Sequence, residues 1–359
     1  MKIAINIVTW NSAKYIADCL HSIARQTATS FFVQVIDNNS KDGTVAIIKK
    51  DFPLAKVLVN EKNNGFSGAH NQGIELAREA GAEFVLVTNP DIILAPNFLE
   101  ELMKEVEKHP EAGSFGGKLL RVDSPQSPLI KGKNGFPPAP FNKGGVIDSV
   151  GLKIYRNRGA VDLGGGEEDQ GQFEEIKEVF GISGALALYR LEALKDIKLD
   201  SHDSQIFANK FASFEYFDND FFAYKEDVDL AWRLQLAGWK SLYLPRAVAW
   251  HRREARSSEG WKKIFKSRRQ KSGVINYYSY KNHWLMLVKN EYFRNFWRDL
   301  PWIASYEVRK LAYILFFEPQ TLFAIIKFFI QLPKMLKKRK IIMGRGKIGA
   351  GEMRKWFRK

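Results

Sequence analysis

The 359 residues are 45% hydrophobic, enough to build one large domain or two modest ones around substantial cores. The single cysteine, Cys19, excludes an intramolecular disulfide and any cysteine-based metal cluster, and it fits a reducing compartment. The formal charge of +15 is local: residues 252–271 contribute +7 and residues 331–359 contribute +10, leaving the remainder at −2. A chain-wide basic surface for nucleic acid is therefore not expected.

Met1-Lys2 runs straight into an apolar stretch, so no secretory signal is expected. Ile3, Ile5 and Ile7 alternate on one face of a strand over 3–9 that ends at Thr9-Trp10-Asn11. Ser12 is a candidate N-cap for the helix carrying Tyr15, Ile16, Cys19, Leu20 and Ile23 at helical spacing. Cys19 belongs to that apolar face and reads as an inert core thiol. A second strand over 31–36 stops at Asp37-Asn38-Asn39-Ser40-Lys41-Asp42-Gly43-Thr44, dense in turn formers, before another helix. A third covers 56–59, and Asn63-Asn64-Gly65-Phe66-Ser67-Gly68 opens a helix reaching Ala80. The fourth, over 84–87, is stopped by Asn89-Pro90-Asp91, because Pro90 cannot extend a central ladder and restrains Asn89. Strands and helices alternating at this spacing predict an α/β fold, with a mostly parallel sheet covered on both faces.

Neither G-x-G-x-x-G nor G-x-x-x-x-G-K-[ST] follows a strand, which weakens the two commonest nucleotide-fold readings. The strand ends nevertheless carry Thr9, Asn11, Asp37, Asn39, Asn64, Asn89 and Asp91, a polar rim suited to a ligand rich in hydrogen-bonding groups. Asp91 suits Mg²⁺ or Mn²⁺ shared with a phosphate, or else caps the helix that follows. Residues 121–180 are rich in Gly, Pro and Asn, with little periodicity, and read as a functional loop region. Further on, Leu230, Leu234 and Ala237 share a helical face closed by Gly238. Glu226, Asp227 and Asp229 crowd its first turn. Such acids complement a helix dipole, but crowding also raises proton affinity, which serves a general base. Asp229 and Arg233 read as an i,i+4 ion pair. A strand over 247–251 ends in His251, a residue type more often structural than ligating.

In order and spacing, Ile7-Val8-Thr9-Trp10-Asn11, Val35 to Thr44, Asn64 to Gly73, Asn89-Pro90-Asp91 and Glu226 to Arg233 resemble the family 2 glycosyltransferases, and most of all their rhamnosyltransferase-like branch. The resemblance spans residues 1–255. It implies a GT-A fold, Rossmann-like, with a mostly parallel sheet flanked by helices and a C-terminal helical extension. It also implies an inverting transferase using a dTDP- or UDP-sugar. By the family pattern Thr9 and Asp37 would hold the nucleobase, with Asn11, Asn39 and Asn89 as further candidate donor-binding residues on the same rim. Asn64 and Gly65 would lie along the nucleotide, and Asn71 would position the donor. Asn89 stands where the family's metal-binding D-x-D signature has its first Asp, leaving Asp91 as the metal carboxylate, and His251 falls where some relatives add a ligand. Asp227 would be the catalytic base. The implied domains are a catalytic unit over 1–260, with a nucleotide-binding half over 1–120 and an acceptor-binding half over 121–260, and a basic helical region over 261–359.

Residues 302–332 are aromatic-rich, but charges interrupt them before the ~20 residues needed to span a bilayer. With Trp284, Trp297, Trp302 and the terminal Lys/Arg cluster they fit a surface lying on anionic lipid. A helical cap or a dimer-forming tail is the plainer alternative. The expected partners are a nucleotide-sugar donor, a glycan or polyprenyl-linked acceptor and the inner face of the cell membrane, with no nucleic acid. The rival function is a catalytically silent nucleotide-sugar-binding or membrane-scaffolding protein.

Overall fold

A computed structural model describes residues 2–122, 145–200, 214–252 and 272–358. The strands form where side chains alternate between two buried faces. β1 (Ile3–Thr9), β2 (Phe31–Asp37) and β3 (Lys56–Val59) run parallel, and β4 (Phe84–Thr88) joins parallel on the other side of β1. Between them lie α1 (Ile16–Ala24), α2 (Thr44–Asp51) and α3 (Gly65–Glu79). After β4 come β5 (Ile92–Leu94), α4 (Phe98–Val106) and β6 (Ala112–Arg121). Ile3, Ile5, Ile7, Phe84 and Leu86 pack on one side with Cys19, Leu20, Phe98 and Leu102. Ala4, Val85 and Val87 pack on the other with Ile74 and Ala77 of α3.

Ser12 does not cap α1. Its hydroxyl accepts from Trp10 N (3.2 Å), and its carbonyl accepts from Tyr15 N and Ile16 N in a turn that leads into the helix. Residues 145–180 hold order that periodicity did not reveal: β7 (Ile147–Ser149), β8 (Leu152–Tyr155), β9 (Ala160–Asp162) and β10 (Lys177–Val179). Strands of three or four residues are too short to show a repeat. Pro137-Pro138, also part of the expected loop region, lies outside the described residues.

β11 (Leu186–Arg190) is antiparallel to both β4 and β6. α5 (Leu191–Ile197) follows, then the short pair β12 (Leu199–Asp200) and β13 (Phe214–Glu215), and α6 (Glu226–Leu236). β14 (Lys240–His251) is twelve residues long and runs parallel to β6. Its register shifts between Leu244 and Val248, around Pro245, which has no N–H for the ladder. The sheet order is β10-β14-β6-β11-β4-β1-β2-β3, with β5 on β14 and β7 on β6. Because β11 runs against its neighbours, its first residues sit with the carboxyl ends of β1, β2, β4, β6 and β14. One edge thus collects the strand ends that carry Thr9, Asp37, Asn89 and His251.

Beyond residue 272 lie α7 (Gly273–Asn290), α8 (Phe293–Phe317), α9 (Phe323–Arg345), α10 (Ala350–Met353) and β15 (Phe357–Arg358). They share a core with the preceding residues: Leu285, Met286, Met335 and Trp356 pack with Ile154, Phe180 and Trp232. β15 pairs with β8. Of the two basic runs, residues 253–271 lie outside the described residues. The terminal run is not all surface, since Lys338 is 1% exposed. Its ammonium lies within 2.8, 2.5 and 2.8 Å of Glu215, Asp218 and Asp220, while Lys289 reaches Asp218 and, at 2.9 Å, Asp229.

Candidate active site

The carboxyl edge of the sheet gathers the predicted residues into three groups. At the ends of β1 and β2, Thr9 Oγ1 donates to Asp37 Oδ1 (2.7 Å). Asp37 also accepts from Ser40 Oγ (2.6 Å) and Ser40 N (2.8 Å), so a carboxylate with about four acceptor positions keeps room for one more donor. Asn11 and Asn39 both adopt positive φ (50° and 63°), and both fix Lys41: Asn11 Oδ1 accepts from its N–H and Asn39 Oδ1 from its ammonium.

The second group surrounds the start of α3. Asn38 Nδ2 donates to Gly65 O (3.0 Å), and Asn38 Oδ1 accepts from Asn64 N (3.3 Å), tying this turn to the first group. Gly65 has φ +72°, and a Cβ there would lie 2.5 Å from Phe222 O. Phe222, Tyr224 and Lys225 also have positive φ, in the loop that leads into α6. Ser67 N donates to Phe222 O (3.2 Å), so the two loops are pressed together. Gly65→Ala is expected to destabilise the protein by about 1–3 kcal/mol, because both the backbone conformation and the Phe222 carbonyl oppose the methyl group. The shift in urea midpoint checks this, and an unmoved midpoint would mean that the two loops part without cost. Asn71 is committed to the protein. Its Oδ1 accepts from Tyr216 N and Phe217 N, and its Nδ2 donates to Phe217 O and Asn219 Oδ1, so it clasps the 216–219 segment.

The third group is acidic. Asn89 N donates to Ala185 O (2.9 Å), at the start of β11. One residue earlier, Gly184 N donates to Asp227 Oδ2 (3.0 Å). Asp227 and the Asn89-Pro90-Asp91 turn therefore flank one short loop. A Cβ on Gly184 would lie 3.1 Å from Asp227 Cβ, closer than ordinary van der Waals contact. Burial raises the Asp227 carboxyl above its ordinary value, and the Asp162 charge adds to this against the Gly184 and Val228 N–H bonds. Glu226 is raised by burial and by Asp227 beside it, and its Oε2 is buried without a partner among the described residues. Asp229 belongs to the scaffold: it pairs with Arg233 Nε (3.0 Å) as the i,i+4 spacing predicts, and accepts from Asn290 Nδ2 (2.7 Å).

His251 connects Asp91 to a residue that sequence reasoning missed. His251 Nε2 lies 3.3 Å from Asp91 Oδ2, and Nδ1 lies 2.8 Å from Asp148 Oδ2. Burial alone would lower this imidazole, but hydrogen bonds to Asp148 and Asp91, and their charges, raise it to about 9. Asp148 sits on three-residue β7, and nothing in the local pattern marks it. Asp91 Oδ1 is buried and unpartnered among the described residues. An open carboxylate oxygen beside an imidazole whose other nitrogen is fixed by a carboxylate fits a divalent cation such as Mn²⁺. The other acidic group, Glu215, Asp218 and Asp220, has its ligand atoms within 4.8 Å of one another, but the Lys338 ammonium already lies among them. Cys19 is buried, and burial pushes its thiol well up, so it is no nucleophile.

Residues 4–198 match the family model described as glycosyl transferase family 2, and residues 165–336 match glycosyl transferase family group 2. The chain is 28% identical over 259 residues to the N-acetylglucosaminyl-diphospho-decaprenol L-rhamnosyltransferase of Mycobacterium tuberculosis, covering 68% of this chain and 74% of that one. It is 24% identical over 251 residues to the poly-beta-1,6-N-acetyl-D-glucosamine synthase of Staphylococcus epidermidis, covering 69% and 49%. Among solved structures, GalNAc-T7 with UDP, GalNAc and Mn²⁺ superposes with a TM-score of 0.54 at 14% identity, over 80% of this chain and 48% of that one, a likeness of fold. With a family model covering more than half its length, on a sheet of this topology, the chain belongs to glycosyl transferase family 2 and is a glycosyltransferase of GT-A fold.

Proposed function

We propose that this glycosyltransferase moves a sugar, L-rhamnose being the first candidate, from a dTDP- or UDP-sugar to a lipid-linked glycan, with inversion at the anomeric carbon. The observation that carries the reading is the loop at Gly184-Ala185, which holds Asp227 on one side and Asn89 on the other. It sets a base with raised proton affinity across from the Asp91 turn. Thr9 and Asp37 hold the nucleobase, Asn11 and Asn39 shape the turns beside it, and Asn64 and Gly65 lie along the nucleotide. Asn71 acts indirectly, through the 216–219 segment. Asp227 takes the proton of the acceptor hydroxyl as that oxygen attacks the anomeric carbon opposite the leaving diphosphate. A single displacement inverts the centre and needs no enzyme nucleophile. Asp91 and His251 would hold Mg²⁺ or Mn²⁺, which offsets charge on the departing diphosphate when bound. The rhamnosyl relative supports the choice of sugar and of a lipid-linked acceptor.

Membrane contact is part of the proposal. None of the described helices is long and apolar enough to cross a membrane. Trp297, Phe316 and Phe317 of α8 and Phe323, Phe329 and Ile330 of α9 are all more than 60% exposed, an apolar surface flanked by the basic C-terminal run. This supports a peripheral position on the inner face of the cell membrane, with a homodimer through the same surface as the competing arrangement.

Thermal-shift screening of nucleotide-diphosphate sugars, with and without Mn²⁺, tests the donor side. A dTDP- or UDP-sugar is expected to raise the melting temperature more with Mn²⁺ than without. Asp91→Ala is expected to erase the Mn²⁺-dependent part of that shift while leaving the metal-independent part. An undiminished metal response in Asp91→Ala would remove that residue from metal binding.

A further inference from the structure

The residues just before α6 hold a backbone conformation that their side chains oppose. Phe222 has φ 64° and ψ −61°, and Ala223 N donates to Phe221 O (2.7 Å), a γ-turn of the rare, strained kind. Tyr224 and Lys225 follow at φ 70° and 73°. None of the three is glycine, and bulky residues stay in this region only where their surroundings impose it. Two residues beyond Lys225 stands Asp227.

What imposes it is α7. Asp220 O accepts from the Lys281 ammonium (2.7 Å). Asn282 is fully buried, and its amide nitrogen lies 2.9 Å from the carbonyl oxygens of Phe221 and Ala223 and 2.7 Å from that of Tyr224. Reversing the amide would turn its oxygen towards three carbonyls, so this network fixes its orientation. Phe222 O, the one left over, accepts from Ser67 N of α3 (3.2 Å), and the Phe222 ring stacks on Tyr278 of α7 with ring centres 5.2 Å apart. Every carbonyl from Asp220 to Tyr224 is therefore held from outside the loop, and a single side chain holds three of the five.

We infer that Asn282 is a positioning residue for the transfer reaction, holding the 221–225 loop in the conformation that sets Asp227 against Gly184 and across from the Asp91 turn. The inference rests on the reading of Asp227 as the base. It gives the C-terminal helical region a part in the chemistry without contact with either substrate. The donor turn is tied down separately, since Asn38 holds both Asn64 N and Gly65 O. Freeing the loop should thus slow the reaction and spare donor binding.

Asn282→Leu, close in size but without N–H donors, tests it in the full chain. Release of UDP or dTDP from its sugar, with water in place of the acceptor hydroxyl, is expected to slow about 10²-fold in single turnovers, the usual consequence of a small misplacement of a reacting group. Donor affinity by calorimetry should stay within about threefold. The limb on which kcat/KM rises with pH should move down towards the ordinary carboxylate value of about 4. Burial is what raises Asp227, while Asp162 of β9, Glu226 and Lys225 remain around it. Amide hydrogen exchange over 221–228 should quicken at least about tenfold relative to β1. Leu102→Ala, which opens a cavity in the core under α4, should lower the urea midpoint and leave the pH limb and that exchange ratio at parental values. If Asn282→Leu behaves like Leu102→Ala, losing stability alone, its role is structural and the assignment is overturned. A fall in donor affinity that accounts for the whole loss of rate overturns it as well. If Asp227→Asn releases nucleotide at the parental rate, the base reading fails instead, and the exchange ratio still decides whether Asn282 holds the loop.

Discussion

Asp227→Asn is expected to lower transfer about 10²–10⁴-fold, the range a positioned general base supplies, while donor affinity stays within a few fold. Asparagine keeps one oxygen for the N–H of Gly184 or of Val228, gives up the other bond, and loses the ability to take a proton. The parent's kcat/KM is expected to rise with pH through a value above the ordinary carboxylate range of about 4, because burial raises this group. The variant's residual rate should lack that limb. The sign for stability is opposite: a carboxyl raised in the folded state binds its proton more tightly there than when unfolded, so ionising it draws stability down as pH rises. Single-turnover rates across pH for parent and variant check the rate and its pH limb, urea midpoints across pH check the sign for stability, and near-parental turnover in Asp227→Asn would remove the base.

Lys338→Met is expected to destabilise the protein by about 3–5 kcal/mol, the usual consequence of removing one partner from a buried charge cluster. Burial alone would push Asp218 up, but Lys289 and Lys338 hold it well below the usual carboxylate range. Glu215 is already raised by burial with the lysine present, and without it Glu215 loses its one described cation. The shift in urea midpoint measures the loss. Glu215→Gln in the Lys338→Met background should recover part of it, since a neutral amide leaves less charge buried without a counter-ion. A midpoint that hardly moves in Lys338→Met would mean that the three acids are solvated in the folded protein.

The sheet was legible because its strands are apolar on both faces: the expected 3–9, 31–36, 56–59 and 84–87 differ from the observed bounds by at most one residue. Helix α6 was equally plain, since Leu230, Leu234 and the left-handed Gly238 define its face and its end. Placement of Thr9, Asp37, Asn89 and Asp91 on one rim followed from strand direction. What pattern could not show were pairings made across long separations. Asp148 orients His251 from 103 residues away, and Gly184 meets Asp227 from 43. Lys338 reads in sequence as one more charge in a basic tail, yet it lies inside a carboxylate cage 120 residues from Asp218. Asn71 sits on the expected helix, but its partners show that it shapes backbone.

That cage bears on how the molecule is made. As the chain leaves the ribosome, Glu215, Asp218, Asp220 and Asp229 emerge before the lysines that neutralise them, and β8 waits about two hundred residues for β15. Strands β1 to β4 can pair early from near contacts, while the segment over 214–229 gains its lysine partners only when the last long helix arrives. Nascent chains halted before residue 338 should accordingly be protease-sensitive around 214–229, and become resistant only when synthesis is complete.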